Sequence, residues 1–173
     1  GVLLLKVGLA VNSANKVTFD GTSAVVLEDQ ARAALDRIAY AIMGSDRGTL
    51  IPDAEAPLHT DELDYRVSLG LEDGVVVWDD PERIGLGNAE NQLIWRANPS
   101  EPGERRVVWS NLVRDFMQGE VPNGIDDNGN GLVDEKGLSF VIFRNSVTIR
   151  LTLEKQLAGG RVATETVQTT VTC

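Results

Sequence analysis

Cysteine and histidine are nearly absent from the sequence, which has one cysteine, Cys173, and one histidine, His59, among its 173 residues. A single cysteine excludes an internal disulfide framework and a multi-cysteine zinc site. A single histidine excludes a histidine-rich metal centre and leaves one candidate base for a serine or cysteine nucleophile. Among enzyme classes, those that use pairs of Asp and Glu residues remain open.

Positive charge is also scarce. The sequence has 16 Lys and Arg against 26 Asp and Glu, a net charge of −10, and a pI near 4.5. This balance argues against nucleic-acid binding, which requires a basic face. With 42% hydrophobic and 24% charged residues, the composition is that of an ordinary globular protein, and its length suits one domain.

Long hydrophobic runs are missing except near the first residue. Residues 2–11 are apolar apart from Lys6, but ten helical residues reach only about half of the ~30 Å hydrocarbon core of a bilayer. No basic segment precedes the run and no small-residue cleavage site follows it, so a signal peptide fits poorly. We expect either an ordinary buried first helix or the C-terminal half of a membrane-spanning helix.

A helical period follows. Between residues 23 and 43, apolar residues recur at steps of four, four, three and four, at Leu27, Ala31, Leu35, Ile38 and Ile42. Gly44 and Pro52 then mark a helix end. The polar residues 12–22 favour helix less strongly, so we predict one long helix from about 2 to 44 that bends there. Residues 1–45 would form a helical stalk.

The period changes to two after Pro52. Alternating residues predict a strand over 63–71 that continues at 75–78 as a hairpin, and antiparallel pairs of 92–96 with 106–109 and of 147–154 with 161–172. Residues 46–173 would therefore form a β-rich head. The predicted fold is α+β, with a long N-terminal helix packed on an antiparallel β-sheet head.

The most specific local signal is a D-x-N-x-N-G pattern within residues 123–135. Alternating short oxygen side chains can curl around Ca²⁺, which prefers six to eight oxygen ligands. The candidate ligands are Asp126, Asn128, Asn130, the carbonyl of Leu132, Asp134 and Glu135. The twelfth position of the loop is Gly137 instead of glutamate, so this is not a standard EF-hand. A polar turn without metal is the alternative, and a bound ion would be structural rather than catalytic.

Other candidate sites are weaker. Trp78, Trp95 and Trp109 lie in strand-like runs and either pack between sheet and helix or line a sugar platform. The segment 79–82 is typical of a solvated acidic edge, and the segment 85–87 is typical of a turn. No Ser, Cys or His lies in a context that activates a nucleophile, so we predict that the protein is not an enzyme.

Three segments together resemble a known family. The amphipathic stretch 30–39, the segment 106–116 and the loop 123–135, followed by strands over 138–153, are similar to those of type IV pilin-like proteins. The likeness is strongest to the minor pilins and pseudopilins of pili and type II secretion. The family's Phe at the mature terminus and the Glu four residues later are absent here, and position 5 is Leu5.

The resemblance implies a noncatalytic, extracytoplasmic subunit of a bacterial filament, located in the periplasm or outside the cell. Its helix would pack with the helices of other pilin-like subunits, or anchor in the inner membrane before assembly, while the head faces outward. Nucleic acid is not an expected partner. The competing hypothesis is a secreted calcium-dependent adhesin or carbohydrate-binding domain that uses the tryptophans.

Overall fold

The computed structural model describes residues 24–87 and 91–173. Its helix, α1, covers residues 24–42. The apolar stripe read from the sequence is buried along its whole length, because the step of 3.6 residues per turn brings these side chains to one face: Leu27, Ala31, Leu35, Ile38 and Ile42. The opposite face is exposed and carries an ion pair between Glu28 and Arg32, 2.8 Å apart.

The predicted fold, a long N-terminal helix packed on a β-sheet head, was wrong. In the described part of the chain, 44% of the residues are in strands and isolated bridges, the strands form three sheets, and the helix has 19 residues. The chain leaves the helix at Ser45, whose hydroxyl donates to the carbonyl of Ile42 and whose backbone bridges to Val67. The described helix is thus an element of the core. Residues 1–23 of the predicted stalk lie outside the described part of the chain.

Among the described residues, nine strands follow the helix, after a 3₁₀ turn at Arg47–Thr49. They are β1 (Glu62–Tyr65), β2 (Ser68–Glu72), β3 (Val75–Trp78), β4 (Glu82–Leu86), β5 (Leu93–Ala97), β6 (Arg105–Ser110), β7 (Leu138–Phe143), β8 (Ser146–Gln156) and β9 (Val162–Thr172). All the ladders are antiparallel. The predicted pairings of β5 with β6 and of β8 with β9 are confirmed.

The strands form a four-stranded sheet in the order β1-β4-β5-β6, a three-stranded sheet in the order β7-β8-β9, and the two-stranded ribbon β2–β3. The two larger sheets meet where Thr60 pairs with Phe140 just before β1. The ribbon is separate from both, and every residue of β2 is exposed. The predicted strand over 63–71 is therefore two strands in different sheets.

One core joins α1 to the two larger sheets. Alternating residues point inward, so the strands contribute Leu63, Tyr65, Ile84, Leu93, Leu138, Phe140, Ile142, Ile149 and Leu151, all with no exposed surface. Burial of this apolar surface is the main stabilising term for the domain. Within the described residues, no helix combines the length and apolar character needed to cross a bilayer.

Candidate metal loop between β6 and β7

The chain between β6 and β7 returns on itself, so that the two ends of the candidate loop lie side by side. The N–H of Met117 donates to the carbonyl of Glu135 at 2.9 Å, and Phe116 pairs with Lys136 in an isolated bridge. Gly137 then passes so close to Arg114 that a Cβ atom would lie 1.8 Å from its carbonyl oxygen. The base is therefore closed by backbone contacts, and residues 118–134 project from it.

Asp126 organises the centre of the loop. Its Oδ1 accepts the N–H groups of Gly129 at 2.7 Å and of Asn130 at 3.1 Å, and its Oδ2 accepts that of Gly131 at 2.8 Å. These donors lower the pKa of Asp126, with Gly131 contributing most and burial opposing the effect. The loop therefore curls around one carboxylate that stays ionised.

The two asparagines of the pattern continue the curl. Oδ1 of Asn128 accepts the N–H of Asn130 at 3.0 Å, and Oδ1 of Asn130 accepts the N–H of Leu132 at 2.9 Å. In each of these side-chain turns, the amide oxygen of the asparagine accepts a hydrogen bond from the backbone N–H group two residues later in the sequence. Because the N–H of Asn130 is shared between Asn128 and Asp126, two of the predicted ligand oxygens converge on one amide.

Glu135 lies at the base of the loop, where it binds both a loop residue, Asn130, and the guanidinium group of Arg150. It has no exposed surface, and its Oε1 accepts Nη1 of Arg150 at 3.0 Å while its Oε2 accepts the side-chain amide of Asn130. The carboxylate is thus already neutralised by Arg150. A role in positioning Asn130 fits this arrangement better than direct ligation of a second cation.

The remaining acidic candidate, Asp134, binds the other side of the loop. Its carboxylate accepts the N–H groups of Asn123 at 3.0 Å and of Gly124 at 3.0 and 3.1 Å. None of its described hydrogen bonds reaches Asp126, Asn128 or Asn130. The neighbouring Asp127 is exposed, and its carboxylate accepts the side-chain amide of Asn123 at 2.9 Å.

One residue that holds the loop together was not identified from the sequence. Glu120 is only 3% exposed, and its two oxygens accept the N–H groups of Asn128 at 3.1 Å and of Asp134 at 3.2 Å. It therefore joins the two halves of the loop. Nothing in the sequence around Glu120 distinguishes it from a surface glutamate, because its role depends on contacts formed only after folding.

The donor set fits a hard divalent cation such as Ca²⁺. A carboxylate oxygen or an amide oxygen has two lone pairs, so the oxygens of Asn128 and Asn130, and Oδ2 of Asp126, each keep one after the described bonds. Oxygen ligands in a flexible, glycine-containing loop are the type that calcium prefers. Over the described ranges, no three His, Cys, Asp or Glu side chains are grouped as a ready-made metal site.

Two of the three tryptophans, Trp95 and Trp109, form contacts within the domain. The indole N–H of Trp95 donates to Glu82 at 2.8 Å and lies 3.1 Å from the hydroxyl of Tyr65. The guanidinium of Arg37 lies over the ring of Trp109, 5.2 Å from its centroid. Trp95 and Trp109 are thus both in contact with polar or charged side chains of the same chain.

The sole thiol is at the chain end, beside the helix. Cys173 is half-buried, and its Sγ lies 3.9 Å from the carbonyl of Ile42. Burial raises the pKa of this thiol, which disfavours the thiolate that a nucleophile needs. The expectation that the protein is not an enzyme stays a prediction.

Comparison of the chain with protein-family models, with curated proteins and with solved structures finds no match. The resemblance to type IV pilin-like proteins therefore stays a hypothesis that depends on the segments 30–39, 106–116 and 123–135.

Proposed function

We propose that the protein is a noncatalytic structural subunit of an extracytoplasmic bacterial filament of the type IV pilin-like kind. Its β-rich domain faces outward, and Ca²⁺ orders the loop 123–135. Residues 2–11, apolar apart from Lys6, contact other pilin-like subunits in the filament or the inner membrane before assembly. A subunit of this kind needs one part that folds by itself and another that binds its neighbours.

The observation that carries the proposal is the position of α1. Its apolar stripe is buried from Leu27 to Ile42 within the core of the β-rich domain. The helix is therefore firmly attached to that domain, and it follows the apolar run in sequence. A force on residues 2–11 would be transmitted to a packed element of the domain, as a filament requires.

The calcium part of the proposal is supported by the donor set of the loop. Three oxygen side chains of the pattern curl around the same few backbone N–H groups, and each keeps acceptor capacity for an ion. Such a loop pays backbone entropy of about 1–2 kcal/mol per ordered residue, which a bound cation offsets. An outward-facing loop ordered in this way would resist proteolysis outside the cell.

The proposal is tested by comparing the full chain with a variant that lacks residues 1–22. The full chain should assemble into filaments visible by electron microscopy, alone or with pilin-like partners of the same cell. The truncated variant should remain a monomer, because it keeps the described core but has lost the apolar run. Its cooperative unfolding, followed by tryptophan fluorescence, should be preserved.

Two results would contradict the proposal. If the truncated variant loses cooperative unfolding, residues 1–22 are part of the core of the domain instead of an assembly segment. If the full chain neither forms nor enters filaments under any tested condition, the protein is not a filament subunit. A matched control, Lys6→Leu, makes the run fully apolar and should leave assembly intact.

A further inference from the structure

The loop between β6 and β7 contains all three Asn-Gly pairs of the sequence, at 123–124, 128–129 and 130–131. An asparagine before glycine is prone to lose its side-chain amide, because glycine has no side chain to keep its backbone nitrogen away from the asparagine Cγ atom. The glycines of these pairs have φ values of 77°, 74° and 89°, in the left-handed region that other residues rarely adopt. The curl of the loop therefore requires a chemically labile pair at three points.

The reaction in question is a ring closure within the chain. The glycine nitrogen loses its proton to solvent and attacks Cγ of the preceding asparagine, so that an N–Cγ bond forms, the Cγ–Nδ2 bond breaks and ammonia leaves with a proton taken from solvent. Water then opens the resulting succinimide at one of its two carbonyl groups and gives aspartate or isoaspartate. One water is consumed for each ammonia released, and nothing is oxidised or reduced. Each event adds a carboxylate to the loop.

In each pair the side-chain carbonyl of the asparagine is already polarised. Oδ1 of Asn123 accepts the N–H of Ile125 at 2.8 Å, and the other two asparagines accept the N–H groups two residues later in the same way. Negative charge would develop on this oxygen as the nitrogen attacks, and a donor placed there stabilises that charge. The asparagine half of each pair thus favours the reaction.

The glycine half of each pair is restrained by a carboxylate. Asp126 accepts the N–H of Gly129 at 2.7 Å on Oδ1 and that of Gly131 at 2.8 Å on Oδ2. Asp134 accepts the N–H of Gly124 at 3.0 and 3.1 Å. These hydrogen bonds fix the planes of the glycine peptide groups, and the negative charge of the acceptor opposes loss of the N–H proton. The attacking nitrogen is therefore held in an unreactive state.

We propose that Asp126 and Asp134 keep three latent deamidation sites of the loop unmodified. Asp126 protects two of them, Asn128 and Asn130. Asp134 protects the third, Asn123. When a carboxylate releases its glycine, the asparagine before that glycine is converted irreversibly, and an isoaspartate there lengthens the backbone and breaks the side-chain turn. This modification goes beyond the proposed function, because it depends neither on filament assembly nor on a bound cation.

Each carboxylate serves as the control for the other in the experiment. The unmodified chain, the Asp126→Ala chain and the Asp134→Ala chain are incubated at neutral pH with chelator, so that a bound cation does not differ between them. Trypsin cuts after Arg114 and Lys136 and releases all three sites in one peptide. Electron-transfer fragmentation of this peptide locates each deamidated residue and distinguishes isoaspartate from aspartate.

The two variants should give opposite patterns. Because a hydrogen bond to a charged group is strong, Asp126→Ala should accelerate deamidation at Asn128 and Asn130 by about tenfold or more. The rate at Asn123 should change by less than about threefold, since Asp134 still holds its glycine. Asp134→Ala should accelerate Asn123 alone. The control Asp115→Ala, outside the loop, should leave all three rates unchanged.

The isosteric variant Asp126→Asn guards against a collapsed loop. An amide has one acceptor oxygen, so at least one of Gly129 and Gly131 loses its partner, and the summed rate at 128 and 130 should again rise relative to the rate at 123. Equal acceleration of all three sites in every variant would overturn the proposal, because protection would then come from the general order of the loop. Unchanged rates in the Asp126→Ala and Asp134→Ala chains would also overturn it.

Discussion

Glu120→Gln is the substitution that most sharply tests how the loop is built. The change preserves size and shape, but it replaces one acceptor oxygen by an NH₂ group. In the protein, the two oxygens accept the N–H groups of Asn128 and Asp134, and the side chain is almost fully buried. Glutamine has one acceptor oxygen and therefore accepts only one of these two N–H groups. Its side-chain NH₂ group then faces the other N–H group, so that two donors oppose each other at a short distance.

The magnitude follows from the type of bond that is lost. A hydrogen bond to a charged group contributes about 1.5–3 kcal/mol, so we expect the loop to lose about 2 kcal/mol of local stability. Amide exchange at positions 128 and 134 should then accelerate about 30-fold, since 1.4 kcal/mol corresponds to a factor of ten. Hydrogen exchange read by mass spectrometry on the full chain measures this, in calcium and in chelator.

The matched control is Glu101→Gln, an identical chemical change at an exposed residue in the turn before β6. It should leave exchange in the loop unchanged. Exchange in the Glu120→Gln protein that stays within about twofold of the wild type would refute the reasoning, because Glu120 would then not join the two halves of the loop.

Three further predictions concern the domain around the loop. Gly137→Ala should lower the free energy of unfolding by about 3 kcal/mol or prevent folding, because the new Cβ would overlap the carbonyl of Arg114; urea unfolding measures this. Arg150→Met should cost about 3–5 kcal/mol in the same assay, because it leaves the buried carboxylate of Glu135 unpaired, and a cost under 1 kcal/mol would contradict the pairing. Burial and the hydrogen bond to Glu82 raise the pKa of Tyr65, so its phenol stabilises the fold below about pH 10 and this stabilisation is lost as pH rises above that value. In a Tyr40→Phe variant, where Tyr65 is the remaining tyrosine, tyrosinate absorbance should therefore rise only on alkaline unfolding; ionisation of Tyr65 in the folded protein would contradict it.

The sequence was informative where burial follows a regular period. The alternation at Val147, Ile149 and Leu151 predicted β8 because each of these side chains is fully buried between polar neighbours. The stripe of α1 was equally readable. The helix was nevertheless predicted over about 2–44, whereas the helix of the described residues covers 24–42, and residues 1–23 of that prediction lie outside the described part of the chain.

Elements fixed by tertiary contacts were missed. In β4 (Glu82–Leu86) the alternation is short, and the sequence predicts a solvated acidic edge over 79–82 and a turn over 85–87 instead. Its polar residues are buried in part because they are paired: Arg83 with Asp64 across the ladder, and Glu82 with Tyr65. The break between β1 and β2 has the same origin, since Val67 pairs with Ser45 at the end of the helix rather than with the sheet.

The candidate loop was located from its spacing, but only part of its ligand set follows from spacing. Asp126, Asn128 and Asn130 stand together because side-chain turns are local and repeat every two residues. Asp134 and Glu135 lie beyond the curl, and their orientation depends on partners distant in sequence or in the loop, such as Arg150. Sequence spacing contains no information on these contacts.

The most direct test of the account is the calcium dependence of the melting temperature. At a hundredfold excess of Ca²⁺ over its Kd, binding to the folded form should add about 2.7 kcal/mol, which in a chain of this size raises Tm by roughly 5–10 °C. Chelator should remove the rise and expose residues 123–135 to protease. Asp126→Ala should abolish the response, whereas Asp115→Ala should retain it. If calcium and chelator give the same Tm and the same cleavage in the unmodified protein, the loop is only a polar turn and the account is contradicted.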